Sequence, residues 1–219
     1  MKTSILFLIL ALFSIFAMSA SGMVTYNFVH ILEEGDAAQE LADGAIGQAQ
    51  LFLDVNDLGG SQVLFTFRNA GPEASSITDV YFDNGSLFSI ESIDNSDLGV
   101  SFSQLATPTE LSGGNNLPEP FVTTAGLSAD SDPPVQPNGV NPSESLAIQM
   151  NLQAGQNFND VINELNSGDL RVGIRVQGYA SGGSEAFVNT IIPVPSALLL
   201  SSIGVGLVGW LHRKRFVNK

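Results

Sequence analysis

The chain has no cysteine among its 219 residues. No disulfide can staple it, and no thiol chemistry is open to it. Tryptophan occurs once, at Trp210, and tyrosine three times, so the aromatic-rich groove usually wanted for sugars is missing. Histidine occurs only at His30 and His212. A Ser-His-Asp arrangement would therefore depend on His30, which sits between Val29 and Ile31 in a strand-like run and reads as a structural or exposed histidine. Basic residues are scarce and uneven: Lys2 at the start, Arg213, Lys214, Arg215 and Lys219 at the end, and only Arg68, Arg171 and Arg175 between. Those three arginines stand against 22 acids, a formal charge of −19 for residues 23–190. Nucleic acid and anionic polysaccharide both need a basic patch and are excluded as electrostatic partners. Such a domain must rely on its own core, and its length suffices for one.

Period-two alternation dominates the middle of the chain. Val63, Phe65 and Phe67 face one way, and Leu170, Val172, Ile174 and Val176 form a second buried face. Further strands are expected at Val24–Leu32, Gln48–Asp54, Ile77–Phe82, Leu87–Ile93, Leu98–Phe102, Leu146–Leu152 and Ala186–Ile191. Turn signals separate them, among them Asp57-Leu58-Gly59-Gly60 and Asp83-Asn84-Gly85. One short helix is expected at Phe158–Leu165, with Asn157 as its cap and Gly168 after its end. The expected fold is all-β, an antiparallel β-sandwich with that one helix. Residues 107–143, with seven prolines and Gly113-Gly114-Asn115-Asn116, read as a long loop.

Candidate chemistry is thin. No carboxylate spacing singles out a hydrolase pair, and no enzyme activity or cofactor is expected, with Ca²⁺ the one exception weighed. Hard cations take oxygens from flexible loops. Asp54, Asn56 and Asp57 place three oxygen side chains before Gly59-Gly60 and form the candidate metal set. Asp79 and Asp83, and Asp130 and Asp132, are further acidic pairs. None matches the EF-hand spacing, and Asp and Asn are also the ordinary residues of turns. Arg171 and Arg175 share a strand face and are expected to pair with acids.

The ends carry the clearest signals. Lys2, an apolar run over Ile5–Met18 and the small residues Ser19, Ala20, Ser21 and Gly22 describe a secretory signal peptide over 1–22. At the other end no charge occurs from Ile191 to Leu211, and Arg213, Lys214 and Arg215 follow. That length spans a bilayer, and the basic stop orients it with the end in the cytoplasm. Pro193-Val194-Pro195 lies at its start, before the apolar run from Ala197 to Leu211.

In that order, tripeptide, span and basic end over 191–219 resemble the PEP-CTERM sorting signal of exopolysaccharide-producing Gram-negative bacteria. Val194 stands where that family has Glu. Pro118-Glu119-Pro120 spells the motif, but no apolar span follows it and it reads as a loop. The resemblance implies recognition by an exosortase-like membrane enzyme and cleavage near Pro195. It brings no known activity for residues 23–190. The expectation is an exported protein, membrane-anchored and then released to the cell surface or medium. It would be a structural or matrix-associated component of exopolysaccharide or biofilm. A calcium-dependent adhesin or carbohydrate-binding module, and a secreted hydrolase, are the alternatives.

Overall fold

The computed structural model describes residues 22–33 and 37–190. The motif Pro193, Val194, Pro195, the basic residues Arg213, Lys214 and Arg215, and the signal segment before Gly22 lie outside the described residues. Ten strands form one antiparallel sheet: β1 Met23–Ile31, β2 Leu51–Gly59, β3 Gln62–Asn69, β4 Ser76–Asp83, β5 Phe88–Asp94, β6 Phe102–Gln104, β7 Thr123–Ser131, β8 Ser145–Leu152, β9 Arg171–Gln177 and β10 Glu185–Asn189. Their order is β5-β8-β3-β2-β1-β10-β9-β4-β7-β6.

Strand β1 is the hinge of this sheet. Its first half, Met23–Asn27, pairs with β2, and its second half, Phe28–Ile31, pairs with β10. The sheet folds over there, so its two halves face each other. Phe65 and Phe67 of β3 and Phe88 of β5 meet Phe82 of β4 with ring centroids 5.2, 6.3 and 5.6 Å apart, all edge-on. Such edge-to-face contacts are the favoured aromatic geometry. The far edges also approach: the Asn95 side chain, just past β5, bonds both the N–H and the C=O of Phe102 at the start of β6. The sheet thus nearly closes into a barrel around one core.

Alternation predicts most of this well. β3 and β8 bury every second residue, and Val172, Ile174 and Val176 lie in the core. The strand expected at Leu98–Phe102 begins only at Phe102, and Leu98 is 96 % exposed. The helix expected after Asn157 runs Phe158–Ser167. Asn157 Oδ1 accepts the Asn159 N–H at 2.9 Å, Asp160 Oδ2 accepts the Asn157 N–H at 2.8 Å, and Gly168 closes the end at φ 84°.

Two expectations are corrected. First, residues 107–143 are not one long loop. A 3₁₀ turn at Gly114–Asn116, strand β7 and a helical turn at Val135–Asn138 lie within them. β7 pairs with β4 and β6, and its buried side chains are small apart from Leu127, so it carried no alternating apolar pattern. The prolines around it fold back over the sheet instead. Ala106, Leu111 and Phe121 pack with Tyr81, Ile31 and Ala186 on the outer face, and Tyr81 OH donates to Pro108 O at 3.0 Å. This cover leaves every residue of β4 buried.

Second, a helix that alternation did not show runs from Ala37 to Gln50 and ends where β2 begins. It is α1; Val135–Asn138 is α2 and Phe158–Ser167 is α3. The fold is therefore all-β with more than the single helix expected, and residues 48–50 of the strand expected at Gln48–Asp54 are helical.

Candidate functional site

Helix α1 packs beside β1 and β10 on the same face as the main core. Its buried residues are Glu40, Asp43, Gly44, Gly47 and Gln50, an i, i+3, i+4 stripe made of acids, glycines and an amide. A hydrophobic-stripe template passes over it for that reason. The glycines let the helix sit close. A Cβ on Gly44 would overlap the His30 ring, and one on Gly47 would overlap the Phe187 ring. At the helix end, the Gln50 amide nitrogen donates to Ser75 Oγ at 2.7 Å and Glu73 O at 2.8 Å, and its oxygen accepts the Glu73 N–H at 3.1 Å.

Under the helix lies a buried polar cluster. His30 of β1 pairs with Phe187 of β10, and Glu185 is two residues along on the same face. His30 Nε2 lies 2.8 Å from Glu185 Oε2, with the side chains only 6 % and 7 % exposed. The imidazole tilts over the Phe187 ring at 5.4 Å. Glu40 reaches in from α1, accepting the Glu33 N–H. Ligand atoms of His30, Glu40 and Glu185 all lie within 4.8 Å of one another. Asp43, one turn on from Glu40, accepts Ser181 Oγ at 2.5 Å. Beside them the Tyr179 hydroxyl is buried with no hydrogen-bond partner.

Electrostatics set the character of this site. Burial pushes the Glu185 carboxyl up, the Glu40 and Asp43 charges push the same way, and the His30 contact pulls it down. Burial raises the Tyr179 phenol, and the charges of Glu185 and Asp43 add to that. Three carboxyls and one imidazole converge where little water can screen them. Such a set can share protons, or it can hold a cation.

The candidate metal set does not assemble as a turn. Asp54, Asn56 and Asp57 are all residues of β2. The Asp54 carboxylate accepts Thr25 Oγ1 at 2.6 Å and is ion-paired with Arg68, whose hydrogen bond and charge hold it below the usual range against the opposing effect of burial. Asp57 Oδ1 accepts the Gly59 N–H at 2.8 Å, an ordinary turn contact. Arg171 is paired with Asp83 and also donates to Glu119 O and Pro120 O, each at 2.7 Å. Arg175 donates to Ser184 Oγ at 3.3 Å. Asp132 accepts Ser101 and Ser103 hydroxyls at 2.7 and 2.8 Å, which lower its carboxyl.

One acidic pair does converge. Asp79 of β4 stands opposite Asp130 of β7 in register. Burial first, then the Asp130 charge, raises Asp79 to about 6, against Thr78 and Arg175. At 2 % exposure Asp79 offers a substrate no approach. His30 is the one site residue prominent in the sequence, where it reads as a structural or exposed histidine. The signal that pointed inward was its parity with Phe28, two residues before it on the buried face. Glu40 and Asp43 carried no signal until the helix was known.

Comparison with protein families, with curated proteins and with solved structures finds no match. Among the described residues no helix is long and apolar enough to cross a membrane.

Proposed function

We propose that this is an exported, membrane-tethered surface protein whose acidic domain, a nearly closed antiparallel barrel rather than the two-sheet sandwich expected, is sorted by its C-terminal segment. The observation that carries the reading is the order Pro193-Val194-Pro195, uncharged span, Arg213-Lys214-Arg215. The geometry of the domain supports it. Thr190 donates its N–H to Asn27 O at 2.8 Å, beside the middle of β1, whose first residue is Met23. Four residues of strand separate those points, about 14 Å. In sequence Pro193 follows Thr190 by three residues. In this reading so short a link holds the domain close to the membrane. Release or transfer by an exosortase-like enzyme then leaves a soluble, strongly acidic, disulfide-free module. Its role is structural, as a matrix-associated component of exopolysaccharide or biofilm.

Cell fractionation tests this. Before processing, the full chain is expected in the envelope fraction of its native cells. A version ending at Thr190 is expected to leave the envelope for the soluble exported fraction. Equal distribution of the two, or a full chain found in the cytosol, would contradict the proposal.

A further inference from the structure

We infer that His30, Glu40 and Glu185 bind one first-row divalent cation of the Zn²⁺ type, which clamps helix α1 to strands β1 and β10. The site is independent of how the protein is sorted, so either idea can fail alone.

The donor set comes first. One imidazole nitrogen and two carboxylates, with ligand atoms within 4.8 Å of one another, are already gathered. Around tetrahedral Zn²⁺, with bonds of about 2.0–2.2 Å, donors stand about 3.4 Å apart, so shifts of the order of an ångström close the set. An imidazole among carboxylates suits Zn²⁺ and its neighbours, whereas Ca²⁺ takes six to eight oxygens. Asp43 adds a third carboxylate at the edge, held by Ser181 at 2.5 Å. A dication cancels most of this buried negative charge, which His30 alone cannot.

The second observation is the Tyr179 hydroxyl. It belongs to a residue 3 % exposed, feels the charges of Glu185 and Asp43, and has no hydrogen-bond partner. Buried polar groups are almost always paired. Three protein ligands leave an open coordination position, and water held there gives this hydroxyl its partner.

The clamp also answers what holds α1 down. The face it buries carries acids and glycines rather than an apolar stripe, with Ile46 only half-buried against the core. In a chain without cysteine, a metal joining helix, first strand and last strand supplies the cross-link that a disulfide would otherwise give.

The test is calorimetric titration of the full chain, stripped with EDTA, using ZnCl₂ and separately CaCl₂. One Zn²⁺ per chain is expected, with Glu40→Gln and Glu185→Gln each weakening it by at least about 100-fold. Asp54→Asn and His212→Ala should bind as the parent does. No saturable one-to-one Zn²⁺ binding by the parent overturns the inference. So does unchanged affinity in both Gln variants, or tighter binding of Ca²⁺ than of Zn²⁺. Circular dichroism checks that each variant folds. Should both unfold, Co²⁺ in the parent decides: visible bands of a four- or five-coordinate nitrogen–oxygen site are expected, and the spectrum of the free aqua ion overturns it.

Discussion

Asp79 and Asp130 show how a single side chain carries a pH dependence. Asp79 is lifted to about 6, above its ordinary 3.8, by burial and by Asp130 across the β4–β7 pair. The native state therefore holds this proton more tightly than the unfolded chain does. The stability it contributes is full below about pH 4 and is lost as pH rises through 6. Asp79→Asn fixes the neutral form and keeps an acceptor for Thr78. At pH 8 it should be about 1–3 kcal/mol more stable than the parent, with the gap vanishing near pH 4. Melting curves from pH 4 to 8 measure this, and a pH-independent gap would refute it. At this scale the sequence was partly legible. It marked Asp79, Asp83, Asp130 and Asp132 as acidic pairs. It could not show that Asp83 is paired with Arg171, or that Asp79 is buried opposite Asp130, because both contacts join segments distant in the chain.

Among the elements, strands were readable because one face of each meets the core. Val63, Phe65 and Phe67 alternate with Leu64, Thr66 and Arg68, and only one register buries the rings. Helix α3 was readable from Val161 and Leu165 and from its Asn157 cap. Helix α1 was not, because glycine and acid form its inner stripe. Gly47→Ala tests that packing directly. Alanine favours a helix over glycine by about 1 kcal/mol, but here its Cβ would overlap the Phe187 ring. Overpacking of a full core costs about 1–3 kcal/mol, and the overlap is with a ring packed in the core, so the variant should lose up to about 2 kcal/mol net in urea unfolding. A gain in stability would mean that α1 does not rest on Phe187.

At the scale of the whole molecule, one sheet hinged at β1 makes a core without cysteine, capped on its outer face by residues 106–121 and at β1 and β10 by α1. The order of strands was not legible. β1 joins both β2 and β10, and the partners of β8 and β4 lie far away in sequence, so local pattern could set faces but not neighbours. The excess of acids was legible from composition alone. It gives the domain high solubility and, in the proposed setting, no electrostatic hold on anionic polymer. In the proposed setting its first attachment to the envelope is through the C-terminal segment, before processing removes it.

Intact mass and C-terminal peptide mapping of the protein recovered from its native envelope and medium test that most directly. The account predicts a mature chain that has lost everything after about Pro195. A C-terminus intact to Lys219 in both fractions would contradict it, and Val194, in the place of the usual Glu, would be the first residue to change.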